Sequence, residues 1–145
     1  MKSLPEVSQS MKRSSNTLIN SIVLSSSLVL FALPGLSAPP PSQVGKCADT
    51  FIRDVGTRLR DGSTDTPIEG SGTSVTLTNG IYLVSYDEIA PLKNSKVREK
   101  VKLCLLSIPR NCPPGDNRGR FYSLFNYRTR QTVKLPDSQH MCGGA

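Results

Sequence analysis

The chain has 145 residues, four cysteines and one histidine, and its formal net charge is +7 at pH 7. This length fits one domain after a short leader. Because His140 is the only histidine, every Ser-His-Asp triad would have to include it, and Asp137 and Ser138 are too close to it along the chain to complete one.

An apolar run near the N-terminus, residues 18–33, follows basic residues and precedes small ones. This order is typical of a secretory signal peptide. The run is shorter than the about 20 apolar residues that a spanning helix needs, and polar residues interrupt it. We therefore expect residues 1–38 to be a signal peptide, cleaved after Ser37 or Ala38, with Met11 as an alternative start. The mature chain would be periplasmic or extracellular and would keep no membrane span.

The four cysteines all follow this leader. An even number of cysteines in a small exported domain predicts two disulfides. The sequence allows three pairings. Of these we favour Cys47–Cys104 and Cys112–Cys142, because the first would join a helix to a strand and the second a loop to the tail.

A proline-rich lead-in, residues 39–46, precedes a single domain that we expect to span residues 47–145. In its first segment, residues 47–60, apolar residues recur at helical spacing. These residues are Ala48, Phe51, Ile52, Val55 and Leu59. The spacing predicts an amphipathic N-terminal helix that packs on a sheet.

Beyond a polar loop the apolar period changes to two, which is the period of a strand. The runs 73–78 and 81–86 flank Asn79 and Gly80. Asn-Gly between two strands predicts a hairpin with a type I′ turn.

Three more strands are predicted in the second half, over residues 101–108, 120–127 and 131–135. The last two would form a hairpin closed by residues 128–130. The predicted fold is therefore α+β and mainly β, with one helix on a small antiparallel sheet or partly open barrel of about five strands.

Charge is distributed unevenly along the chain. Residues 46–88 contain four basic and seven acidic residues, whereas residues 93–134 contain eleven basic and two acidic ones. This asymmetry predicts a basic surface for an anionic polymer, a membrane surface or a protein partner. The candidate binding residues are Lys93, Lys96, Arg98, Lys100, Arg118, Arg120, Tyr122, Arg128 and Arg130.

Arginines and aromatic residues alternate in the segment 118–130. The segment fits an RNA-binding pattern only in part, and export would separate the chain from cellular RNA, so nucleic acid is not an expected partner. We predict instead a hairpin with Phe121 and Phe125 in the core and arginines at its solvent edge. Tyrosine and arginine there could stack on sugars.

The sequence predicts a non-enzymatic binding domain with no catalytic residue, metal or cofactor. The spacing of His140 and Cys142 from the other cysteines does not suit zinc, and two disulfides would leave no thiol for a nucleophile. Two alternatives stay open. The loop 113–116 could enter the cleft of a secreted hydrolase as an inhibitor, or carboxylates such as Asp116 could make the chain a small envelope hydrolase.

Four stretches carry a resemblance to known proteins: "VSYDEI", "VKLCLLSIPRNCPPGDNRGRFY", "NYRTR" and "LPDSQHMCGGA". Together they resemble a group of short exported proteins of uncharacterised function associated with cyanobacteria. The resemblance covers residues 47–145. It implies export and a four-cysteine framework, and it implies no activity.

Overall fold

The computed structural model describes residues 37–144, so nearly all of the predicted signal peptide lies outside the described residues. The described part is one antiparallel sheet of six strands with a four-residue helix. These elements are β1 (Cys47–Thr57), β2 (Thr73–Leu77), β3 (Tyr82–Ser85), α1 (Ala90–Lys93), β4 (Lys100–Ser107), β5 (Phe121–Asn126) and β6 (Thr132–Pro136). The prediction of a mainly β domain with an antiparallel sheet is confirmed.

The strands follow the order β3-β2-β1-β4-β5-β6, and every neighbouring pair is antiparallel. The sheet curls into a half-barrel, which brings its two edge strands, β3 and β6, close to each other. Helix α1 packs against β1, β2 and β6. Within residues 37–144 no helix has the length and apolar character needed to cross a membrane.

The predicted helix over residues 47–60 is wrong, because this segment forms β1, a central strand. Its first half pairs with β4 and its second half with β2, and the register shifts between Ile52 and Asp54. Thr50 and Ile52 are buried while Phe51 between them is half-buried, as the alternation of a strand requires. The apolar spacing of this segment also fits a helix, but pairing with two neighbouring strands stabilises the extended conformation.

The hairpin between β2 and β3 is confirmed, but its turn is not type I′. That turn needs a positive φ at both central residues, and here only Gly80 has one, at 89°. The Gly80 N–H donates to the Leu77 carbonyl at 3.0 Å, and the Leu77 N–H donates to the Ile81 carbonyl at 2.8 Å. The connection is therefore a three-residue loop with a glycine bulge.

The core lies on the inner face of the curled sheet. It consists of Ile52, Val75, Leu77, Leu83, Leu92, Val101, Leu103, Leu105, Tyr122, Leu124 and Leu135. Tyr122 is fully buried, whereas Phe121 is 37% exposed and Phe125 is half-buried. The prediction that Phe121 and Phe125 lie in the core is therefore wrong. Successive side chains of a strand point to opposite faces, so burying Tyr122 and Leu124 places both phenylalanines outside.

Both predicted disulfides are confirmed. Cys47 bonds to Cys104 with their Cα atoms 4.0 Å apart, and Cys112 bonds to Cys142 with their Cα atoms 5.3 Å apart. The first joins two adjacent strands rather than a helix and a strand, and the second joins a loop to the tail. Two disulfides indicate an oxidising environment outside the cytoplasm.

Candidate binding face

The solvent side of β1, β4, β5 and β6 carries lysines beside aromatic rings. Strand β4 buries Val101 and Leu103 and therefore turns Lys100 and Lys102 outward. Its neighbours follow the same alternation. We call this surface the lysine–aromatic face, and it consists of Asp49, Phe51, Lys100, Lys102, Phe121, Ser123, Phe125, Tyr127, Thr132 and Lys134.

Tyr127, directly after β5, contacts several other residues of this face. Its hydroxyl donates to Asp49 Oδ1 at 2.8 Å, and its ring is nearly perpendicular to that of Phe125, with the two centroids 5.3 Å apart. The Nζ atoms of Lys100 and Lys102 lie 5.3 and 5.9 Å from the centroid of the Tyr127 ring. Cations at these distances are attracted by the ring electrons. The cluster therefore holds two ammonium groups against aromatic surface.

Asp49 offsets part of this positive charge. Lys100 Nζ lies 2.7 Å from Asp49 Oδ2. Hydrogen bonds from Lys100 and then from Tyr127 lower the pKa of the Asp49 carboxyl below its ordinary value of 3.8. Asp49 is therefore ionised at neutral pH, and with two lysines the cluster keeps a net charge of about +1.

Lys102 and Lys134 are the lysines of this face whose ammonium groups are available to bind a ligand. Both are exposed, and neither forms an ion pair with a described residue. Phe125 lies directly opposite Lys102, and Ser123 lies directly opposite Lys134. The face therefore offers two cations on either side of a strand that carries a hydroxyl and an aromatic ring.

The candidate residues predicted from the sequence do not form one surface. Four of them form ion pairs with carboxylates: Lys93 with Glu88, Lys100 with Asp49, Arg118 with Asp116 and Arg128 with Glu99. Arg118 and Arg120 precede β5, whereas Arg128 and Arg130 follow it. Only Lys100 of the nine belongs to the lysine–aromatic face.

The other predicted residues have separate places. Lys96, Arg98 and Arg130 are exposed and form no ion pair within residues 37–144. Arg120 is half-buried. The prediction for Tyr122 is wrong, because a fully buried side chain cannot contact a partner.

Asp116, the carboxylate considered for hydrolysis, joins the 110–119 loop to the tail through hydrogen bonds. Its Oδ2 atom accepts hydrogen bonds from Arg118 Nη2 at 2.8 Å and from the Gly143 N–H at 3.0 Å. The Arg118 guanidinium, helped by the Gly143 N–H, holds the pKa of Asp116 well below its usual range. A general acid must carry a proton at the working pH, so this geometry favours a structural role.

His140 and Cys142 do not form a catalytic or metal site together. Cys142 is bonded to Cys112, which removes the thiol that a nucleophile or a zinc thiolate would need. His140 is exposed, and its backbone N–H donates to Ser138 Oγ at 3.2 Å. Within residues 37–144 no group of three or more His, Cys, Asp or Glu side chains could hold a metal ion.

Sequence reasoning missed Lys102, Lys134, Phe125 and Tyr127 as members of one face. The alternation in "KVKLC" could have revealed that Lys100 and Lys102 share a side with Cys104. The chain matches no protein-family model, no curated protein and no solved structure. Its function is therefore inferred from the chemistry of the lysine–aromatic face.

Proposed function

We propose that this chain is an exported binding domain whose lysine–aromatic face binds an anionic polysaccharide. The observation that carries the proposal is the pair of available cations, Lys102 and Lys134, on the strands that flank Phe125 and Ser123. Aromatic rings stack on the apolar faces of sugars, and hydroxyl groups exchange hydrogen bonds with them. The lysines would bind the carboxylate or sulfate groups.

The spacing of the cations supports a polymer rather than a small anion. Lys102 is on β4 and Lys134 on β6, two strands away. Neighbouring strands are about 4.8 Å apart, and the two lysines are also offset by two residues along the strands, so their side chains begin about 12 Å apart. Two charges at that separation would bind successive anionic groups of a chain.

A binding role also agrees with the state of the carboxylates. Asp49 and Asp116 are ionised, and they form ion pairs with Lys100 and Arg118. Asp137 Oδ1 accepts the backbone N–H groups of Gly119 and Arg120, at 2.8 and 3.0 Å. Carboxylates engaged in this way hold loops in place, which favours binding over hydrolysis.

Export is part of the proposal. It rests on the apolar leader in the sequence and on the two disulfides, which persist in oxidising compartments. The intact mass of protein recovered from outside the cytoplasm tests it. A chain that begins at Ala38 or Pro39 is the expected result, and an uncleaved cytoplasmic chain would contradict it.

The binding test compares two double variants with the same change in net charge. Lys102→Glu with Lys134→Glu alters the face, whereas Lys96→Glu with Arg98→Glu alters exposed cations outside it. We expect the first pair to weaken binding to immobilised alginate at least about tenfold, a change of about 1.4 kcal/mol. The control pair should weaken it no more than about threefold.

Neutral dextran is the matched ligand, and it should bind weakly to all three proteins. Equal losses in the two double variants would mean that net charge alone attracts the polymer, and the assigned face would be wrong. Thermal unfolding of each variant, followed by circular dichroism, confirms that the comparison is made between folded proteins.

A further inference from the structure

Exposed apolar side chains gather where β4 ends and β1 begins. They are Val44, Leu106 and Ile108, with exposed fractions of 57%, 38% and 42%. Val44, Leu106 and Ile108 line one open groove together with Pro109 and Arg110. We call Val44, Leu106 and Ile108 together the apolar corner.

A bulge in β4 creates this corner. Leu105 pairs with Tyr122 and Ser107 with Phe121, so Leu106 is an extra residue without a partner in the register. Leu105 is fully buried, while Leu106, Ser107 and Ile108 are all exposed. Bulges redirect side chains in this way.

The lead-in segment, residues 39–46, is fixed beside the bulge. The Gly45 N–H donates to the Leu105 carbonyl at 2.8 Å, and the Leu105 N–H donates to the Lys46 carbonyl at 3.0 Å. These two bonds hold Val44 next to the end of β4. Backbone hydrogen bonds therefore fix the position of Val44 relative to Leu106, so the apolar corner does not depend on side-chain packing alone.

The surroundings of the corner are cationic. The segments 38–48 and 100–115 that form it contain no acidic residue. They contribute Arg110, which lines the groove, and Lys46, whose carbonyl accepts the Leu105 N–H; both side chains are exposed. The surface therefore combines apolar side chains with a cationic rim.

We propose that the apolar corner docks on the surface of a membrane that contains anionic lipids. Val44, Leu106 and Ile108 would enter the boundary between headgroups and acyl chains, and Arg110 and Lys46 would bind lipid phosphates. A lipid surface offers apolar and anionic groups side by side, which is the combination this corner complements. The inference goes beyond the polysaccharide proposal because it uses other residues.

The rim disfavours a second copy of the chain as the occupant. A two-fold contact would place the same patch on both sides, so Arg110 and Lys46 of one copy would face those of the other. Like charges brought together in this way oppose association. A polysaccharide, in turn, offers no acyl surface for Leu106 and Ile108.

Vesicle co-sedimentation of the purified chain tests the proposal, with phosphatidylglycerol mixed into phosphatidylcholine and with phosphatidylcholine alone. The test variant is Leu106→Ser with Ile108→Ser. Leu59→Ser with Ile68→Ser is a matched control, because those side chains are also 38% and 42% exposed and lie beyond the opposite end of β1. A second test variant, Arg110→Glu, changes the rim alone.

We expect the chain to sediment with the anionic vesicles and only weakly with the neutral ones. The Leu106/Ile108 variant should bind at least about tenfold more weakly, and the control should stay within about twofold, since apolar burial scales with the area inserted. Arg110→Glu should weaken binding to the anionic vesicles only.

Failure of the wild-type chain to bind anionic vesicles, or equal binding by the test and control variants, would overturn the proposal. A concentration-dependent dimer that only the Leu106/Ile108 variant loses, without vesicle binding, would assign the corner to self-association instead. Alginate binding should be unchanged in the Leu106/Ile108 variant, so failure here and failure of the polysaccharide proposal are distinguishable.

Discussion

Cys47 and Cys104 lie directly opposite each other on β1 and β4, and their disulfide crosses the junction between the two halves of the sheet. Strands β3, β2 and β1 form one half, and β4, β5 and β6 form the other. The bond therefore links the two halves covalently, next to Lys102. A bond at this place protects the pairing on which both halves of the structure depend.

Removing this disulfide should destabilise the whole domain. For Cys47→Ala with Cys104→Ala we expect the free energy of unfolding to fall by about 2–4 kcal/mol, because the unfolded chain gains freedom over a separation of 57 residues. Urea unfolding followed by circular dichroism measures the change. An unchanged urea midpoint would contradict it.

The second disulfide serves as the comparison. Cys112 and Cys142 are 30 residues apart and join a loop to the tail. Without the bond the native tail also gains freedom, which offsets part of the loss, so Cys112→Ala with Cys142→Ala should cost less. Hydrogen exchange should rise in residues 109–119 and 137–144 while β1 and β4 stay protected.

The strands from β2 to β6 could be predicted because each has an alternating apolar pattern and nearby turn residues. Strand β1 could not, since its apolar residues fit a helix as well and its two halves pair with different neighbours. The faces of β5 were ambiguous because Phe121 and Phe125 compete with Tyr122 and Leu124 for the core.

The candidate site was harder to predict, because its contacts join distant parts of the chain. Tyr127 donates to Asp49 across a separation of 78 residues. Arg128 pairs with Glu99 across 29 residues. A count of basic residues locates the positive half of the chain. It cannot show which basic side chains already form ion pairs with carboxylates.

The assignment of faces in β5 can be tested with two truncations. Tyr122→Ala should lower the free energy of unfolding by about 3–5 kcal/mol, because it removes a fully buried aromatic ring. Phe121→Ala should cost less than about 1 kcal/mol, since that ring is 37% exposed. Urea unfolding of both variants decides the matter. The opposite ranking would reverse the faces of the strand.

Gly72 should tolerate no side chain. Its φ is 108°, and a Cβ atom there would lie 2.2 Å from the Ser85 carbonyl oxygen. Gly80 also has a positive φ, but a Cβ atom there would have open space around it. We therefore expect Gly80→Ala to cost about 1 kcal/mol and Gly72→Ala to cost clearly more, because backbone must move as well. Thermal unfolding compares them, and equal losses would contradict the close approach.

Glu99 links the β5–β6 turn to the segment before β4. Its carboxylate accepts hydrogen bonds from Asn126 Nδ2 at 2.6 Å and from Arg128 Nε, and its side chain is only 10% exposed. Burial opposes the charge, but the hydrogen bonds from Arg128 and Asn126 outweigh it and lower the pKa of Glu99 below its ordinary value of 4.5.

This lowered pKa gives the domain a specific sensitivity to acid. Above pH 4.5 the stabilisation by Glu99 is fully present, and it is lost as the pH falls through the folded-state pKa, because the unfolded chain binds the proton first. Glu99→Gln should therefore cost about 1–3 kcal/mol at pH 7, and the difference from wild type should shrink at pH 3. Urea unfolding at both pH values measures this difference.

Glu69→Gln is the matched control, since Glu69 is exposed and forms no ion pair with a described residue. That variant should follow the wild type at both pH values, because solvent replaces whatever an exposed carboxylate loses. If Glu99→Gln behaved in the same way, the hydrogen bonds from Arg128 and Asn126 would not hold the turn. The β5–β6 turn would then owe its position to packing alone.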